Sequence, residues 1–305
     1  MPDVEISRFH IDRIPDNHER ITRLVTDRLR ATNQYTSDHP TDIQALADYS
    51  EMGFVDENEE SLLAFLSTLD EDAIKTFKKA KNKLRGAFGF RKKEIYIPKQ
   101  SKDIYERFPS AHEYVHGLLP WHDLSYVDTR FTLSPDFDNA REREANFGAS
   151  EVLFKGPSFR DRVLGSHESI DAALVLADAF EATKSSTLWR YTEVQDRELA
   201  LLTYIEKGNG YKLFRCVGSN PFMAKYPEML VPSHIKSSHE WVSRDPLSIG
   251  AKKGDIHFSC GGERFKVRWE SWTNTYQFFV LLLVPSKLHA LGGLWHKLRG
   301  RPLPF

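Results

Sequence analysis

The chain has few cysteines and no long apolar run, and each shortage removes a class of protein. Cys216 and Cys260 are its 2 cysteines, 44 positions apart and outside any CxxC pair. Neither a disulfide scaffold nor a cysteine-rich zinc site is expected from them, only two reduced thiols. The longest apolar run, Phe278 to Val284, is seven residues long, far short of the roughly 18 to 20 that a membrane-spanning helix requires. It reads as a buried strand. The opening Met1-Pro2-Asp3-Val4-Glu5-Ile6 places acids where a secretory leader carries lysines, so a cytoplasmic protein without a membrane partner is expected. Internal repeats and low-complexity tracts are missing too. A formal net charge of -1 excludes a histone-like chain or an acidic disordered one.

What is present is a globular composition, 40% hydrophobic over 305 residues, with room for about two domains. The first ninety residues read as amphipathic helices. Ile21, Leu24, Val25 and Leu29 recur at helical spacing, as do Leu62, Leu63, Phe65, Leu66 and Leu69, then Ile74, Phe77 and Leu84. Gly86 and Gly89 are expected to close the last of these before a short strand, Glu94 to Pro98, which the proline places at a sheet edge. Pro109 or Ser110 opens the next helix, ending before Pro120. Ser134-Pro135 opens another that runs to about Phe154. A third helical group is expected from Ser158 to about Glu206. Beyond it Tyr211 to Arg215, Phe265 to Trp269 and Tyr276 to Val284 read as strands.

The chemistry sits on the first two of those later helices. His112-Glu113-Tyr114-Val115-His116 is an HExxH motif. Two imidazoles four residues apart stand on one helix face and can grip one Zn²⁺. Glu113 beside them is placed as a general base for a water that the zinc acidifies to a pKa of about 7. Such a site wants a third protein ligand. In the second helix Glu142, Ala145, Asn146 and Ala149 fall at i, i+3, i+4 and i+7 and share a face. The small residues allow close approach to the HExxH helix. Glu142 can then reach the metal while Asn146 holds a ligand histidine by its other ring nitrogen. Glu142 is otherwise a capping-box acid three residues after Asn139, and Glu144 is the substitute ligand if the register differs.

At these residues the sequence resembles the ImmA/IrrE family of zinc metallopeptidases. The family's strand, HExxH with a Leu-Leu step, and Glu-x-x-Ala-Asn helix are similar to Glu94 to Pro98, then His112 to His116 with Leu118-Leu119, then Glu142, Ala145, Asn146 and Ala149 with Val152-Leu153. The likeness covers roughly residues 90 to 155. Gly148 stands where the family has phenylalanine, a change expected to loosen helix packing. Pro120-Trp121-His122 replaces the family's histidine after the Leu-Leu step, leaving His122 and Tyr126 as candidates for the oxyanion-side donor. The resemblance implies a zinc endopeptidase of limited specificity, with His112, His116 and Glu142 as ligands. Its substrate would be a helix-turn-helix transcriptional repressor, cleaved in response to stress or a mobile element.

Residues 158–198 resemble the helical segment that follows the peptidase core in IrrE-type members, with a helix-turn-helix outline. They hold 5 Lys/Arg against 8 Asp/Glu, a balance that favours packing or substrate docking over DNA reading. Residues 199–305 hold 15 Lys/Arg against 7 Asp/Glu, a basic tail on an acidic body. Alternation puts Lys266, Arg268 and Glu270 on one strand face and Phe265, Val267, Trp269 and Ser271 on the other. The aromatic face is either core or a stacking platform for single-stranded bases. Lys266, Arg268, Lys252 and Lys253 are the candidate contacts for an anionic signal such as single-stranded nucleic acid.

The expected fold class is α+β: a helical extension (1–89), a zincin-like metallopeptidase core (90–157), a helix-turn-helix-like segment (158–206) and a basic β-rich domain (207–305) in the place of the family's GAF-like sensor domain. A different class of protein fits the same chain. It is a regulator that binds nucleic acid or protein and keeps the metal site for structure or not at all.

Overall fold

The computed structural model describes residues 6–8, 15–36, 39–55, 61, 64–65, 86–99, 103–123, 135–227, 229–242, 252–260, 263–274 and 276–285. The class is α+β, and the chain divides into two compact units, one of Arg13–Asp161 with Leu176–Thr183, the other of Met1–Asp12, Arg162–Val175 and Lys184–Phe305. The expected helical extension and metal-site core therefore belong to one unit. Leu62, Leu63, Leu66, Leu69, Ile74, Phe77, Leu84 and Tyr126 lie outside the described residues.

The unit that carries the motif is built on helices α1 (His18–Ala31), α2 (Ile43–Tyr49), α3 (Ile104–Leu118) and α4 (Pro135–Phe154). Ile21, Val25 and Leu29 bury one face of α1, as their spacing predicts. Asp42 caps α2 by accepting from the Ala45 N–H at 3.0 Å, a bond worth about 1 kcal/mol. A three-stranded sheet runs in the order β2 (Gly53–Phe54), β4 (Glu94–Tyr96), β3 (Ala87–Gly89). Two expectations fail here. The strand before Pro98 is central, with β2 parallel on one side and β3 antiparallel on the other, because Pro98 lies beyond the paired residues. Gly89 belongs to β3 and does not end a helix. Gly117 of α3 faces this sheet: a Cβ there would stand 2.4 Å from Phe88 and 2.8 Å from Met52 Sδ.

Helix α3 begins at Ile104, earlier than expected, and passes through Pro109. A proline forfeits one hydrogen bond to the residue four before it and crowds that carbonyl, which bends or weakens a helix without always ending one. The end is as expected: Leu119 turns extended with ψ 107° before Pro120, and a single 3-10 turn follows over Pro120–His122. Helix α4 begins at Pro135. Ala145, Ala149 and Val152 are wholly buried on it, and α4 packs against both α3 and α1.

The second unit holds β1 (Ile6–Arg8), paired antiparallel with β7 (Leu230–Pro232). Its main element is a six-stranded antiparallel sheet. In space the order is β8 (His234–Lys236), β6 (Gly210–Gly218), β5 (Leu199–Lys207), β11 (Gln277–Leu283), β10 (Glu263–Thr273), β9 (Lys252–Cys260). Helices α5 (Pro157–Leu164), α6 (Ile170–Ala179) and α7 (Lys184–Glu193) precede it, and α8 (Asn220–Lys225) lies between β6 and β7. The expected helical group reaching Glu206 ends at Glu193. Residues 199–205 are a mostly apolar run whose periodicity does not separate helix from strand, and pairing with β6 and β11 decides it.

One face of the sheet is the core: Leu202, Tyr204, Val267, Trp269, Phe278, Val280 and Leu282 gather with Phe222, Met229 and Trp241. Helix α7 buries Thr187, Leu188, Tyr191 and Thr192 against β5 and β6, and Trp189 donates its indole N–H to Thr203 Oγ1 at 2.9 Å. The second helix of the helix-turn-helix outline is thus committed to packing on a sheet. Glu270, expected on the outer face, is buried there, accepting from the Ile170 N–H at 3.0 Å at the start of α6.

The tight point between α3 and α4 is Gly148 of α4, where a Cβ would stand 2.6 Å from Val115 Cγ1. The glycine tightens the helix pair instead of loosening it. Gly148→Ala should lower stability by about 1 to 3 kcal/mol through overpacking, read as a fall in Tm. In Gly148→Ala/Val115→Ala the two losses should be sub-additive. Strict additivity would show that the contact is not tight.

Candidate metal centre

Helices α3 and α4 bring three ligand groups to one point. The one-face rule places His112 and His116 together on α3, and the close α3–α4 contact sets Glu142 opposite them. His112 Nε2 and His116 Nε2 are 3.1 Å apart. Glu142 Oε2 is 3.2 Å from His112 Nε2 and Oε1 is 3.4 Å from His116 Nε2. Ligand atoms of these three residues all lie within 4.8 Å of one another, the span one ion can bridge. Among the described residues this cluster has three members.

Asn146 Oδ1 is 3.1 Å from His112 Nδ1. An amide oxygen can only accept, so His112 donates through Nδ1 and turns its Nε2 toward Glu142 and His116. In the neutral ring that Nε2 is bare. Bare nitrogen facing bare nitrogen, with a carboxylate between them, is a set of acceptors without a donor, and either a proton or a cation must join it. The donors are imidazole and carboxylate, a set that suits zinc but does not by itself identify the metal.

The charge states agree. The His112 and His116 imidazoles beside it hold the Glu142 carboxyl well below the usual carboxylate range, against the opposing effect of burial. Burial works against a charged His112, but Glu142, Glu113 and Asn146 together raise it above its ordinary value. Burial lowers His116, and charge on His112 and His122 lowers it further while Glu142 opposes. A proton on His112 thus fills the acceptor set when no cation does, and a metal ion competes with it. Burial pushes Glu113 up to about 7; His112 draws it down and Glu142 pushes it further up. Glu113 packs beneath Gly86, where a Cβ would stand 2.7 Å from its Cγ.

Glu144, the substitute ligand, points elsewhere. Its Oε2 is 2.9 Å from His122 Nε2 and accepts from the Trp121 indole N–H at 2.6 Å, and its Oε1 accepts from Asn17 Nδ2 at 2.9 Å. Burial opposes its charge, yet these hydrogen bonds hold it below the usual range. His122 is wholly buried, with Nδ1 3.0 Å from His116 Nδ1. It stands behind His116, with its other ring nitrogen on Glu144. Asn17 and Trp121 carried no signal in the sequence, since Asn17 lies 127 positions from Glu144.

The candidate anion contacts of the second unit are all engaged within it. Lys266 Nζ lies 2.7 Å from Asp255, and Lys253 Nζ lies 3.2 Å from Glu270 and 4.0 Å from Asp171. Lys252 donates to the Glu240 carbonyl, and Arg268 Nη2 to the Glu168 carbonyl at 3.3 Å. The aromatic face is core: Val267 and Trp269 are buried, and Phe265 stacks on Tyr226 at 4.6 Å. No stacking platform for bases remains on it.

No protein-family model matches the chain, and no curated protein matches its sequence. Among solved structures, a Mycobacterium tuberculosis transcriptional regulator is similar to it in fold, with a TM-score of 0.50 and 14% identity over 90% of this chain and 78% of that one. No helix among the described residues is long and apolar enough to cross a membrane.

The raised Glu113 fixes the sign of a pH effect in the metal-free protein. A carboxyl that titrates near 7 when folded and near 4.5 when unfolded binds more protons in the native state between those values, so stability falls as pH rises through that window. Metal-free Glu113→Gln should therefore unfold at a higher Tm than wild type at pH 8, by an amount on the order of 3 kcal/mol. The gap should close toward pH 4. Equal Tm values at pH 8 would show that the carboxyl carries no burial penalty.

Proposed function

We propose that the chain is a zinc-dependent endopeptidase of the ImmA/IrrE type, working in transcription regulation by cutting a helix-turn-helix repressor. The observation that carries this reading is Glu113: a buried carboxyl, pushed up to about 7, next to a convergent His112, His116 and Glu142 set. Structural zinc sites are closed by four protein ligands, whereas catalytic ones use three. A purely structural site has no use for a proton-exchanging group at that place.

Zinc held by these residues would supply Lewis acidity to a carbonyl and to an attacking water. The rest is done by the chain. Asn146 turns His112 toward the site, and Glu142 balances the positive charge gathered there. Glu113, with its proton affinity near neutral pH, takes a proton from the attacking water and returns it to the leaving amine. Burial keeps bulk water from exchanging that proton.

A second reading has its own support. The fold neighbour is named as a transcriptional regulator, which speaks for a nucleic-acid- or protein-binding regulator with a structural metal site more than for peptidase chemistry. The two readings meet in regulation and part at Glu113. Glu113→Gln should keep about one zinc per chain by elemental analysis and lose cleavage of helix-turn-helix repressors encoded beside it, while His116→Ala should lose both. Cleavage retained in Glu113→Gln sinks the peptidase. Salt-dependent DNA binding that survives chelation, with no cleavage in any variant, establishes the regulator.

A further inference from the structure

Behind the ligand cluster lies a row of buried polar groups that peptide hydrolysis does not use. His122 is engaged at both ring nitrogens, Nδ1 with His116 Nδ1 at 3.0 Å and Nε2 with Glu144 Oε2 at 2.9 Å. Glu144 is itself fixed by the Trp121 indole and by Asn17. Arg141 Nη2 donates to the His122 carbonyl at 2.6 Å and holds the Pro120–His122 turn in place.

With both imidazoles neutral, one arrangement of protons satisfies both contacts of His122. A neutral imidazole has one N–H and one bare nitrogen, and a carboxylate can only accept. Glu144 therefore receives the His122 Nε2–H, which leaves His122 Nδ1 bare. The proton between the two Nδ1 atoms must then belong to His116. His116 Nε2 is bare in consequence, and it is the atom turned to Glu142 Oε1 and His112 Nε2. The opposite tautomer would put two bare Nδ1 atoms face to face in a buried site and close the ligand nitrogen with a proton.

We propose that Glu144, acting through His122, is a positioning group that fixes the His116 proton on Nδ1 and so makes His116 a metal ligand. The paired residues do for His116 what Asn146 does for His112. Each ligand imidazole is oriented from behind by an acceptor, and the one behind His116 reaches a charged carboxylate through a second ring, which makes the ligand nitrogen more basic. The inference rests on the metal-binding part of the peptidase reading and not on catalysis.

The full chain, stripped of metal and labelled with ¹⁵N at histidine, gives the first test by long-range ¹H–¹⁵N correlation. His116 should be protonated on Nδ1; protonation on Nε2 overturns the proposal. The second test is zinc affinity by chelator competition at fixed pH. Glu144→Gln keeps the shape and removes the charge, and should weaken zinc roughly ten- to a hundredfold with an unchanged circular dichroism spectrum of the metal-free protein. Trp121→Phe removes one donor to Glu144 and should cause a smaller loss. Wild-type affinity in Glu144→Gln overturns the proposal, and if that variant does not fold, wild-type affinity in Trp121→Phe does so. A chain that never cleaves a peptide but loses zinc affinity in Glu144→Gln upholds the relay and sinks the peptidase, so the two failures are separable.

Discussion

The distance between helices α3 and α4 is the constraint on which the candidate metal centre depends. Glutamate is a short reach, and Glu142 meets both imidazoles because Gly148 offers no bulk where α4 crosses Val115, with Ala145 and Ala149 buried on the same helix. Interiors are close-packed and shift little to accommodate added atoms. A side chain at 148 would move α4 outward and take Glu142, Asn146 and Glu144 with it, since all three ride the same helix. One glycine contact thus governs the third ligand, the group that orients His112 and the carboxylate behind His116.

That arrangement accumulates polar groups where a helix pair would otherwise bury apolar ones. His116 and Glu113 are nearly buried and His122 fully so, and each must find a partner or cost stability. The partners are supplied in a fixed direction: donors Trp121 and Asn17 to Glu144, then ring to ring toward the cluster. Only at its inner end does the chain of hydrogen bonds run out of donors. Local order is imposed everywhere except at the point where a cation would bind, which is the pattern expected where folding is traded for function.

Much of this was legible in the sequence because helical spacing is a one-dimensional record of a face. HExxH and Glu142, Ala145, Asn146, Ala149 each state a face, and the structure brings those two faces together. The α+β class and the strands around Leu213, Val267 and Val280 were legible for the same reason, with period two in place of 3.6. What escaped has no such record. His122 belongs to a single 3-10 turn whose direction is set by Leu119 and Pro120, and its partners come from two helices. Pro109 or Ser110 reads as a helix start, although a proline forbids one hydrogen bond and not a whole helix. Residues 199–205 were read as helix because apolar residues on both faces erase the period, and only the pairing with β6 and β11 could settle them.

The basic tail shows why net charge alone does not make a binding face. A surplus of lysine and arginine raises the mean potential of a domain, but a phosphate backbone is held by cations that have no nearer partner. On β9 and β10 the register sets Arg268 opposite Asp255 and Glu270 opposite Lys253, and Lys266 closes on Asp255. Acid and base alternate across the strands, so the field is cancelled within a few ångströms of its source. Half-exposed pairs of this kind contribute little stability, and their effect is on what the surface attracts. An anion drawn to this face would have to break those pairs before it gained contacts of its own. At His112, His116 and Glu142 the arrangement differs, since one carboxylate there meets two imidazoles at a single point.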